Sequence, residues 1–192
     1  MRPLPAPHLR RSAAGTAVIV LALAFVLSAC QSLFKPEQII EGGRTGPATV
    51  NAASAAQAIS SYRRSRGLPA VTVDSKLNAI AASHSRAMAR ADRMAHVVRG
   101  EGSFQRRLAN GGYDAAIAVE NIAAGHRNFN EVLAGWKASR SHNANLLKPG
   151  VTSMGIAVSY TAEGRFGNFW TLVLAAPDTR RTAALGAVTP GG

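Results

Sequence analysis

Cys30 is the only cysteine in a chain of 192 residues. An internal disulfide and a cysteine zinc cluster are both ruled out, so a stable fold must rest on its hydrophobic core. The chain is 47% hydrophobic, and its length suffices for one domain with such a core. Aromatics make up only 6%, while alanine and glycine are plentiful. Close packing of helices through small side chains is therefore expected.

The position of Cys30 carries a second message. Arg2, Arg10 and Arg11 form a positive start, and Ala13 to Leu27 an apolar run. That run is shorter than the roughly 20 residues a membrane span needs. Leu27-Ser28-Ala29-Cys30 closes it and resembles a bacterial lipoprotein signal, with cleavage before the cysteine and a diacylglycerol on its thiol. The alternative is plain secretion with cleavage near Ala29. Two acyl chains on Cys30 would hold the protein firmly on a bilayer. By resemblance to Gram-negative lipoproteins, Gln31 in place of an aspartate points to the outer membrane, with the protein facing the periplasm.

Four segments are expected: a signal peptide over 1–29, the lipidated Cys30 with a tether through 50, a domain over 51–177, and a disordered tail over 178–192. Gly42, Gly43, Gly46 and Pro47 break structure in the tether, which could reach roughly 65 Å when stretched.

Formal net charge is +12; without the three leader arginines, 19 basic residues face 10 acidic ones, or +9. The cations are dispersed, with pairs at Arg63-Arg64, Arg106-Arg107 and Arg180-Arg181. No basic stripe is interleaved with aromatics, so a basic soluble surface is expected and no nucleic-acid partner.

Asn51 to Arg66 reads as a helix stopped by Gly67. Asp74 or Ser75 caps a second helix through about Asp92, with Leu77, Ile80, Ala81, Met88 and Ala91 at helical period. His84 shares that apolar face and reads as a packed core residue, the alternative being a ligand. His96 lies just beyond the helix, where it can point into a cleft or sit in a surface loop. Ser103 to Asn110 is a short helix ended by Gly111-Gly112. Ile117 to Glu120 is short and apolar. Glu120 is either a solvated turn residue or a buried carboxylate that needs a partner. Phe129 to Ala138 is a helix with Phe129, Val132, Leu133 and Trp136 on one stripe. Asn128 and Glu131 fit a capping-box variant at its start, which assigns Glu131 to the cap rather than to a pocket. Ser153 to Tyr160 and Phe166 to Ala175 read as paired strands around Ala162-Glu163-Gly164.

Four features, in order, resemble the CAP superfamily of cysteine-rich secretory proteins, antigen 5 and pathogenesis-related 1 proteins, and most closely its short bacterial branch. They are Leu77-Asn78 through Met88 with His96; Val119-Glu120-Asn121-Ile122; Trp136-Lys137-Ala138-Ser139 with His142-Asn143-Ala144-Asn145; and Met154-Gly155-Ile156-Ala157 ahead of Phe169-Trp170-Thr171. The resemblance implies an α+β fold, a three-layer α-β-α sandwich. It also implies a cleft formed by His96, Glu120 and His142. The fourth acid of eukaryotic members falls at Ser139. Val119 replaces the family's glycine, and Arg140-Ser141 its Pro-Gly, which implies a looser loop at His142.

Two imidazoles could hold a divalent ion such as zinc, with Glu120 as third ligand or as the carboxylate that orients a ligand. The competing readings are a hydrogen-bonded polar cluster and a binding cleft. No activated nucleophile is evident, and no catalytic residue is assigned. The expected function is an envelope-anchored module binding lipid, peptide or glycan. The alternatives are a metal-dependent hydrolase of envelope polymers and a structural envelope protein.

Overall fold

The structure is a computed structural model and describes residues 46–180. The signal peptide, Cys30, most of the tether and the tail from 181 onward lie outside the described residues.

Helix α1 (Ala52–Arg64) starts where Asn51 Oδ1 accepts the Ser54 N–H. Strand β1 (Thr72–Val73) leads into α2 (Ser75–Ala91), capped by Asp74, whose side chain accepts from Leu77 N. The cap satisfies one of the N–H groups that a helix start leaves open. Then follow α3 (Phe104–Asn110), β2 (Ala115–Ala124), α4 (Phe129–Ala138), α5 (Arg140–Leu146), β3 (Ser153–Tyr160) and β4 (Asn168–Pro177).

The sheet order is β1-β3-β4-β2, with β1 parallel to β3 and the other pairs antiparallel. Alternation along the strands sorts side chains to two faces. Met154, Ile156, Trp170, Leu172 and Leu174 pack with Ile59 of α1, Val132 and Trp136 of α4, and Leu146 of α5. Val173 and Ala175 face Leu77 and Ile80 of α2 and Leu108 of α3, while Phe169 and Ile122 meet Met88. Helices thus cover both faces, and the α-β-α layering expected from the sequence is present.

Three differences from the expected elements matter. First, β2 is a full ten-residue strand running through Glu120-Asn121. It lies at the sheet edge and pairs with β4 along its length. Glu and Asn are poor strand formers on average, and here tertiary pairing overrides that preference. Second, His142 sits in a helix, α5, and not in a loop. Ser139 closes α4 and opens α5 with extended backbone angles, so the two helices meet at a sharp corner. Third, residues 46–50, read as the end of the tether, are bound to the domain. Buried Asn168 accepts from Ala48 N and donates to the Gly46 carbonyl, at 2.8 and 3.0 Å. Ala48 and Val50 pack against the core.

One cation of the Arg63-Arg64 pair is not on the surface at all. Arg63 is fully buried and donates to the carbonyls of Pro69, Leu146, Lys148 and Val151. It ties α1 to the connection between α5 and β3. Burial pushes its pKa down, and the carbonyl oxygens compensate its desolvation.

Candidate functional site

Glu120 is the centre of the polar cluster. Its position in β2 is set by the register opposite Val173, on the face covered by α2 and α3. The carboxylate is 6% exposed, so it needs partners, and it has them. Arg107 of α3 grips both oxygens, Nη1 to Oε2 at 2.6 Å and Nη2 to Oε1 at 3.0 Å. His96 Nδ1 lies 2.8 Å from Oε1. Arg107 Nη2 also donates to the His96 carbonyl at 2.9 Å, so one guanidinium fixes both the carboxylate and the backbone of the histidine loop. Such forked pairing gives geometric precision as well as energy.

Burial alone would push the Glu120 carboxyl up. The hydrogen bonds from His96 and Arg107, and the Arg107 charge, outweigh it, and the net shift is downward. Glu120 is therefore ionised and accepts only. His96 Nδ1 must then carry the proton of that hydrogen bond, which leaves Nε2 to face outward. The His96 side chain is 58% exposed. A solvent-facing imidazole is thus held by a buried, doubly gripped carboxylate.

His142 approaches from the opposite layer, around the free edge of β2. Asn121 Nδ2 donates to the His142 carbonyl at 3.0 Å. Asn145, one turn further along α5, donates to the Glu120 carbonyl at 3.1 Å and to Asn121 Oδ1 at 2.9 Å. These side chains satisfy an edge strand that would otherwise present open backbone groups. Tyr62 of α1 donates to Asn143 Oδ1 at 2.8 Å and holds the outer side of α5. The His142 imidazole is pushed down in pKa, first by burial and then by the charge of His96.

A pH dependence follows with one sign. Both Glu120 and His142 have folded-state pKa values below their ordinary ones, so the unfolded chain binds more protons as pH falls. Stability should be complete above about 6.5, decline first as His142 titrates, and decline further from about 4.3 downward as Glu120 is protonated. Thermal melts across this range check it. In Glu120→Gln the acid part of the decline should shrink.

The structure brings His96 and Glu120 into contact and sets His142 within electrostatic reach. The Ser139 hydroxyl lies 3.3 Å from that of Ser141. Glu131 is a cap, as expected: its N–H donates to Asn128 Oδ1, and its carboxylate takes the Arg127 N–H. His84 is fully buried, but it is not merely packed. Its Nδ1 lies 2.6 Å from Glu101 Oε2, and its Nε2 is 3.9 Å from Glu120 Oε1, too long for a hydrogen bond. Sequence reasoning missed Arg107, Glu101 and Asn145. Arg107 was detectable in principle, because Phe104, Arg107 and Leu108 share one stripe of α3, so the arginine had to point inward.

The family model for the cysteine-rich secretory protein family, CAP, matches residues 56–174, more than half of the chain. The chain belongs to the CAP family. No curated protein matches it. Among solved structures it is similar to an extracellular protein containing an SCP domain from Bacillus anthracis, at 27% identity and a TM-score of 0.57, covering 65% of this chain and 39% of that one. It is also similar to an outer surface protein of Borrelia burgdorferi, at 16% identity and a TM-score of 0.59, covering 68% of this chain and 98% of that one; this second likeness concerns the fold alone. The chain spans well under half the length of the Bacillus protein.

Among the described residues no three His, Cys, Asp or Glu side chains are grouped so as to hold a metal ion. Both Glu120 oxygens are committed to Arg107 and His96. Glu120 Oε1 lies 2.8 Å from His96 Nδ1 and so orients that imidazole. No described helix is long and apolar enough to cross a membrane.

Proposed function

We propose that this CAP-domain protein is an envelope-anchored binding module that takes a lipid, peptide or glycan at the His96–Glu120–His142 cleft. The carrying observation is the exposed His96 imidazole, held by a buried carboxylate that Arg107 grips at both oxygens. Fixing a polar group at the surface before a ligand arrives lowers the cost of binding. Met94 and Val97 flank His96 and are among the few large hydrophobic residues exposed in the described chain. They favour a ligand with an apolar part next to the polar group that His96 and His142 receive, and a lipid fits best. The leader and Cys30 support a lipid anchor, with Gln31 favouring the periplasmic side of the outer membrane. The extracellular description of the Bacillus relative agrees with a place outside the cytoplasm.

Native mass spectrometry of the full-length protein, extracted from membranes in mild detergent, tests this reading. A bound amphiphile is expected on the wild type and should be lost in His96→Ala with circular dichroism unchanged. A wild type without adduct, or an adduct kept in both His96→Ala and His142→Ala, would overturn it.

A further inference from the structure

A hollow of about 230 Å³ lies between α2 and the end of β3, and none of His96, Glu120 and His142 lines it. Arg86, Ala89 and Arg90 of α2 form one wall, and Ser159, Tyr160 and Thr161 form the other. We propose that this hollow binds a phosphate group, as the free ion or as the head of a phosphate monoester, independently of the His96 cleft.

Charge decides the class of ligand. Arg86 and Arg90 stand one turn apart on α2, so they are neighbours on one side of the helix, and like charges at that spacing repel. Both are exposed. Among the described residues neither forms an ion pair or a side-chain hydrogen bond. No acid lines the hollow. Asp92, two residues beyond Arg90, is engaged with the β3–β4 loop, where its Oδ2 accepts from Arg165 N at 2.7 Å. Glu163 of the same loop is exposed and forms no part of the walls. Two uncompensated cations favour an anion over a cation or a neutral molecule. The C-terminal end of a helix is partly negative and opposes an anion. Here the Met88 and Ala89 carbonyls are already taken, by the N–H groups of Asp92 and Arg93.

Geometry then chooses among anions. Exposed arginine side chains can turn their guanidinium forks onto a common ligand. A carboxylate has two oxygens and suits one fork; a phosphate has oxygens enough for two. The opposite wall is pinned, since the Ser159 and Ser85 hydroxyls meet at 2.8 Å across the α2–β3 contact. Ala89, small and 7% exposed, leaves the space between the arginines open. The volume is below the roughly 300–1,000 Å³ of pockets that enclose whole small ligands. It suits one phosphate group, with the rest of an ester outside.

The test is proton–nitrogen NMR of the full chain in uncharged detergent micelles, at about 0.15 M salt, where diffuse attraction is screened beyond about 8 Å. The Arg86 and Arg90 Nε–H resonances are followed during titration with inorganic phosphate, glycerol 3-phosphate, micellar phosphatidate and acetate. Saturable shifts with inorganic phosphate are expected, and acetate should bind about tenfold more weakly or less. The ester that binds more tightly through these arginines identifies the source of the phosphate, a soluble molecule or a lipid head. Arg86→Gln and Arg90→Gln should each weaken phosphate binding about tenfold, the loss of a hydrogen bond between charged groups. Both positions are exposed, so the fold should survive either change. Arg64→Gln with Arg99→Gln removes two exposed cations that do not line the hollow, and binding should stay as in the wild type. No saturable shift with inorganic phosphate, acetate binding equal to it, or the same loss in the Arg64→Gln/Arg99→Gln pair would each overturn the proposal.

Discussion

Glu120→Gln should destabilise the domain by about 3–5 kcal/mol, the usual cost of removing one partner from a buried ion pair. The substitution keeps shape and volume but leaves the Arg107 guanidinium, with a side chain only 5% exposed, without its counter-charge. Arg107→Met should cost a similar amount, because Glu120 would then be buried with His96 as its only direct hydrogen-bonding partner. The double variant should lose less than the two singles together, by about 0.5–3 kcal/mol, since neither charge is stranded. Urea midpoints for the four proteins measure this. Single losses below about 1 kcal/mol would place the pair in the range of solvent-screened surface bridges, and the cluster could not have the burial described.

Gly155→Ala should cost about 3 kcal/mol, at the upper end for overpacking a core. Here helix and sheet approach backbone to backbone. A Cβ on Gly155 would meet the Leu77 carbonyl group and Asn78 N, and backbone atoms cannot swing aside as a flexible side chain can. The closeness serves a purpose: Asn78 Oδ1 accepts from Ile156 N at 2.8 Å, fastening α2 to β3. Gly46→Ala is the control, since a Cβ there meets nothing within 4 Å, and its melting temperature should stay near wild type. If Gly155→Ala melts like Gly46→Ala, α2 does not lie this close to the sheet.

Much of this architecture was legible because apolar periodicity reports directly on which face is buried. The Leu77, Ile80, Ala81 and Met88 stripe defined α2, and the Val132, Leu133 and Trp136 stripe defined α4. The cap assigned to Glu131 follows from side-chain reach over three residues and needs no tertiary information. The site was harder for a physical reason. Arg63 and Arg107 each sit beside another arginine, and a charged pair reads as surface. Yet Ile59, Tyr62 and Arg63 share a stripe, as do Phe104, Arg107 and Leu108. A cation on an apolar stripe is either an error of the fold or the partner of a buried acceptor, and here both are partners. Ser139 entered only through its alignment with a family acid, and its hydroxyl lies 3.3 Å from that of Ser141. Asn145 could not be found from its surroundings, since its role depends on the edge of a strand 24 residues away.

The central claim is that Arg107 and Glu120 hold His96 in one orientation, with the proton on Nδ1 and Nε2 free to meet a ligand. Long-range proton–nitrogen NMR of the His96 ring, at a pH where the imidazole is neutral, tests it most directly. The protonated nitrogen should be Nδ1 in the wild type, and that preference should weaken in Arg107→Met, where the carboxylate loses its grip. A proton found on Nε2 in the wild type, or a His96 spectrum unchanged in Arg107→Met, would contradict the account.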